Sequence, residues 1–162
     1  MGIAVTLKKY LKSKAIPYEI VPHKYTEGSY NTAVAAHIPC RQLLKGVVFR
    51  DEDFYYTMAV IPASHRVRRM TLNQIFDRHL QLADEEELED LFFDCEKGAI
   101  PCLGQAYGMN IIWDDDIELS DDYFLEAGDH QHLIHIDKNS LHKLIGPCMH
   151  EKIAVCTRPD HA

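Results

Sequence analysis

In the stretch LLKGVVF a lysine, Lys45, interrupts an apolar run that otherwise reads as a buried strand. A lysine among such neighbours either runs its stem out to solvent or aims its ammonium into a cleft, where it holds a phosphate or carboxylate as a point charge. Gly46 beside it leaves room for a ligand to approach closely. A second stretch, EKGAIPCLG, sets Gly98, Ala99, Ile100 and Pro101 before a further glycine, Gly104. Glycine admits backbone conformations closed to other residues, and proline stiffens the middle. Such a loop can turn successive N–H groups into one concavity that binds an anion or an oxyanion; a plain turn is the alternative. Cys102 offers the loop's one nucleophile, and nothing in the sequence places a base beside it, so a buried, inert thiol is expected. In HQHLIH a strand would put His130 and His132 on one face and His135 on the other. That parity, without a carboxylate or cysteine at ligand spacing, favours one pocket-lining histidine over a metal site.

These groups need elements to hold them. Ile3, Leu7, Tyr10 and Leu11 recur at helical spacing with lysines opposite, which predicts a helix over residues 4–14. Pro17 ends it, and Tyr18–Val21 reads as a short strand. Ser29 is a candidate cap for a helix through Ala36. The β-branched run from Leu43 to Phe49 and the segment Phe54–Ile61 predict a hairpin turning at 50–53. Thr71 is a candidate cap for a helix over 72–76, and Asp84 with Glu87 forms a D-x-x-E capping pattern ahead of another. Three strands follow at 109–113, 123–127 and 133–136, then a helix over 140–145 that stops at Gly146–Pro147. Strands interleaved with helices give a mixed α/β domain on one sheet or partial barrel.

With 162 residues, 46% of them hydrophobic, the chain suits one domain with its own core. The apolar runs are too short to span a membrane, and the lysine-rich start lacks the apolar core of a signal peptide. Five cysteines, odd in number, lack the spacing of a disulfide framework, so a reduced, cytoplasmic setting is expected. The net charge of −8 makes the chain a poor general binder of nucleic acid. Lysines near the start and the cluster Arg66, Arg68 and Arg69 read as solvated faces.

Taken in order, the motifs resemble the YbaK/prolyl-tRNA-synthetase-associated domain family, the aminoacyl-tRNA deacylases that edit mischarged tRNA. The likeness rests on IPYEIVPH, SYNTAVAAHIP, LLKGVVF, AVIPASHRV, the acidic helix running into EKGAIPCLG, and YFLEAGDHQHLIHID with the helix after it. It covers about residues 3–146. The resemblance implies a YbaK-like α/β fold, a mixed, partly barrel-like sheet flanked by helices, with a deacylase domain over 1–146 and a tail or linker over 147–162. It implies hydrolysis of the ester joining a wrong, small amino acid to the terminal adenosine of a tRNA, with no cofactor and no metal. Lys45 matches the family's essential lysine, which holds the phosphate and ribose of that nucleotide. Gly98 to Gly104 matches the glycine–proline loop whose N–H groups receive the ester carbonyl as it becomes an oxyanion. His130 or His132 falls near a pocket histidine, Gly46 bears on pocket size, and His23 and Tyr30 lie in segments lining the mouth. The implied partners are the acceptor end of a mischarged tRNA and an aminoacyl-tRNA synthetase, without DNA or membrane. The alternative on the same scaffold is a non-catalytic tRNA- or nucleotide-binding regulatory module.

Overall fold

Leu7 and Leu11, one turn apart, are fully buried, and they fix α1 (Val5–Ser13) against a large sheet. The computed structural model describes residues 2–158, so the last four positions of the tail, His161 among them, lie outside the described residues. In chain order the remaining helices are α2 (Ser29–Ala35), α3 (Arg69–Phe76), α4 (Glu85–Leu91) and α5 (Lys138–Ile145). The strands are β1 (Glu19–Pro22), β2 (Leu43–Arg50), β3 (Tyr56–Pro62), β4 (His65–Val67), β5 (Gln81–Leu82), β6 (Asn110–Asp114), β7 (Asp122–Glu126), β8 (His132–Asp137), β9 (Met149–Glu151) and β10 (Ala154–Cys156). No helix among the described residues is long and apolar enough to cross a membrane.

The main sheet runs β1–β8–β7–β2–β3–β6–β9, and β5 adds to β2 outside that path. It is mixed: β2–β3, β7–β8 and β1–β8 are antiparallel, whereas β2–β7, β3–β6 and β6–β9 are parallel. The β2–β3 hairpin turns where the Asp51 carboxylate accepts N–H bonds from Asp53 and Tyr55, at 2.8 and 3.0 Å. One face of the sheet buries Leu44, Val48, Met58, Tyr123 and Leu125 against α1, α5 and the 98–104 loop. On the other face, α2 packs Ala33 against Leu43, Ala63 and Leu133.

Helix starts follow local chemistry, not always as the sequence suggests. Asp84 and Glu87 close both bonds of a capping box at α4. Thr71 does not cap α3, which begins at Arg69 with Arg68 ahead of it, and Ser29 is the first residue of α2 rather than its cap. The last helix begins at Lys138, because Asp137 accepts the Ser140 N–H at 2.8 Å. Within 147–162, residues 149–151 pair in parallel with β6 and residues 154–156 pair with β4, so the packed unit continues past Gly146.

Candidate functional site

Lys45 and Glu126 follow the last paired residues, Leu44 and Leu125, of the parallel strands β2 and β7. Side-chain alternation puts both on the side of Leu43 and Phe124, which pack with Ala33 and Cys40 beneath α2. Lys45 is half-buried. Burial, and then the charges of Arg158 and Arg66, hold its ammonium below the usual lysine range. Two contacts bring those arginines in: Arg66 pairs with Val155 across β4–β10, and the Arg158 N–H donates to the Ser64 carbonyl at 3.1 Å. The Arg158 guanidinium then covers the exposed Tyr30 ring, 4.2 Å from its centre. Among the described residues no carboxylate is ion-paired with any of the three cations.

The 98–104 loop is anchored just beyond the end of β7. The Glu96 N–H donates to the Gly128 carbonyl at 2.8 Å, and the His130 ring Nε2–H donates to the Lys97 carbonyl at 2.7 Å. Gly98 has φ of +82°, a conformation that disfavours any other residue. Tyr25 lies 5.1 Å ring to ring from His130. Tyr25, Glu27, Glu96, Gly98 and His130 share the wall of a cavity of about 380 Å³. Of the loop amides, Ala99 N–H is already given to the Glu96 carbonyl at 3.1 Å, whereas those of Gly98 and Ile100 have no acceptor among the described residues. Pro101 is buried, and Gly104 serves packing: a Cβ there would lie 2.8 Å from Met109 Cγ and 3.2 Å from Met58 Cβ. Gly46 is equally tight, its absent Cβ 2.5 Å from Met58 Sδ, so it faces the core rather than a ligand.

The other sequence candidates divide. His132 is occupied with Asp129, its Nδ1 2.8 Å from the carboxylate, which also accepts N–H bonds from Gln131 and His132. Burial opposes ionisation of Asp129, and these bonds outweigh it, leaving the carboxyl below its usual range. His23 donates its backbone N–H to Gln131 and its ring Nδ1–H to the Lys24 carbonyl, while its buried Nε2 has no partner. Lys45 with Tyr30 and Gly98 with His130 thus form two groups, bordering the same end of β7. No hydrogen bond or ion pair joins Lys45 to the loop among the described residues. Glu126 ends β7 beside them: it is 8% exposed and its Oε2 meets no donor among the described residues. Burial, and then the Asp129 charge, push its carboxyl up to about 8. Cys102 is as inert as expected, its thiol raised to about 12 chiefly by burial.

Elsewhere the Ser64 hydroxyl lies 2.8 Å from His65 Nδ1, and His65 Nε2 lies 2.8 Å from Asp116. The connectivity is that of a hydrolytic triad, yet Ser64 is only 2% exposed and no ester can reach it. His65, Asp114 and Asp116 also cluster as cation ligands would, but the Lys152 ammonium sits there, 3.0 Å from Asp116 and 3.4 Å from Asp114.

The sequence reading missed Arg66, Arg158, Tyr25 and Glu126. Glu126 carried the same signal as Lys45, a charge inside an apolar strand, in YFLEA. Arg158 had none, because only the β4–β10 pairing brings it to Lys45.

Solved structures place this arrangement among known folds. The hypothetical protein APE2540 superposes with a TM-score of 0.81 at 14% identity, over 93% of this chain and 99% of that one. A candidate trans-editing enzyme for prolyl-tRNA synthetase superposes equally well, 0.81 at 18% identity, over 94% and 96%. No sequence match was found among curated proteins. The mixed sheet with its flanking helices is thus the YbaK-like α/β fold. The aminoacyl-tRNA editing domain model matches residues 23–144, and the chain belongs to that family.

Proposed function

We propose that this protein is an aminoacyl-tRNA deacylase, acting in trans on tRNA mischarged with a small amino acid and working without metal or cofactor. Family membership supports the substrate class, and the open N–H groups of Gly98 and Ile100 support the chemistry. An aminoacyl ester is already activated, and the neighbouring ribose hydroxyl helps to position water. The protein then has only to orient the ester and stabilise the charge that grows on its carbonyl oxygen. In this reading Lys45, Arg66 and Arg158 take the phosphate of the terminal nucleotide. Tyr30 under Arg158 offers the base a stacking surface. A concentrated basic group on one face answers the acidity of the whole chain, because such a domain needs to grip only the acceptor end. A synthetase is a natural partner and the cytoplasm the natural setting.

The test is a panel of tRNAs charged with alanine, serine, threonine or cysteine, with release of amino acid timed. Lys45→Ala should remain folded and lose most turnover. Full turnover by that variant would remove the lysine from the mechanism, and release from no charged tRNA would remove the activity.

A further inference from the structure

Glu126 closes β7 almost wholly enclosed, with an oxygen that no donor among the described residues reaches. Folds seldom keep a carboxyl group in that condition, since its desolvation is uncompensated. Its surroundings indicate what completes it. On one side the register sets it next to Lys45 on β2. On another it lies within electrostatic reach of the Cys102 thiol, inside the 98–104 loop. Behind it Asp129 stays charged, held by the N–H groups of Gln131 and His132 and by the His132 ring. No cation of the described protein is paired with Glu126. A cation arriving with the substrate would complete it.

An aminoacyl ester carries one: its α-ammonium is a single carbon away from the ester carbonyl. With the carbonyl on the loop amides, the α-carbon bonded to it stays at that loop, on the far side of the carbonyl from the ribose and phosphate, where Glu126 is the neighbouring acid. Resting on the deacylase reading above, we infer that Glu126 binds the substrate's α-amino group as a carboxylate–ammonium pair, and so selects free aminoacyl esters over N-blocked ones. An amine that arrives neutral takes the Glu126 proton on its lone pair, and the electrons of the broken O–H bond stay on the carboxylate. No other reactant is needed.

The probes are the charged tRNA released fastest in the panel and the same tRNA N-acetylated on its amino acid. Wild type is expected to prefer the free amino ester. Glu126→Leu should lose about 10- to 100-fold in kcat/KM on that ester, mainly through KM, and change the acetylated one by less than about twofold. Glu126→Gln, which keeps the shape, should fall between. Both variants should melt no lower than wild type, because each removes an unsatisfied buried acid. Equal losses on both esters, or an unchanged preference in a variant that melts normally, overturn the assignment while the deacylase reading stands. Cleavage of neither ester by wild type overturns both.

Discussion

Replacing Glu126 with glutamine should change how stability depends on pH. The carboxyl ionises near 4.5 in an ordinary setting and near 8 here, first because it is buried and then because Asp129 is close. A raised value means that the folded state binds this proton more tightly than the unfolded chain does. The stabilisation is therefore complete below about pH 4.5 and is lost as the pH climbs towards 8. At about 1.4 kcal/mol per pH unit, the interval amounts to at most about 5 kcal/mol, less whatever water entry recovers on ionisation. The lowered carboxyls of Asp94, Asp116, Asp129 and Asp137 act with the opposite sign, but in the acid range, below the ordinary aspartate value. Urea unfolding of wild type and Glu126→Gln at pH 5, 7 and 9 isolates the effect, since histidine titration is common to both proteins. The variant should gain on wild type steadily as pH rises, with the largest difference at pH 9. Two curves that stay parallel across this range would refute the burial argument.

Two other perturbations probe the frame around the site. Gly46→Ala puts a Cβ 2.5 Å from Sδ of the fully enclosed Met58, so thermal melting should show a loss of about 1–3 kcal/mol. An unchanged melting point would mean that Met58 yields freely. Asp114→Ala strips the acceptor from the Ile153 and Ala154 N–H groups, at 2.8 and 2.9 Å, and leaves Lys152 with less counter-charge. It should cost about 3 kcal/mol and speed hydrogen exchange at residues 153–156; unaltered exchange there would contradict the anchoring role.

The hairpin β2–β3 and strands β6, β7 and β8 were legible because apolar, β-branched runs of strand length announce themselves. The capping box of α4 was legible because its two bonds depend on residues three apart. β4, β5, β9 and β10 were not. They have two or three residues each, and each forms only because a distant partner supplies its hydrogen bonds. Lys45 and the 98–104 loop stood out by chemistry that clashes with local context. Pattern could not show that Ala99 spends its N–H on Glu96, which depends on how the turn closes, or that Gly46 and Gly104 are glycines for packing, which depends on Met58 of another strand. Arg66, Arg68 and Arg69 are solvent-exposed as expected; pattern could not show that the charge of Arg66 reaches Lys45.

The late pairing of β10 with β4 matters during synthesis. A nascent chain that has reached Ile145 can already assemble most of the main sheet, yet β4 has no neighbour on its open side and Asp114 lacks the Ile153 and Ala154 amides, keeping that of Asp116. For that interval an unfilled edge and a buried charge coexist in one place, a combination that invites pairing with another chain. Shortened versions ending near Gly146 should accordingly fail by aggregating, before any question of catalysis arises.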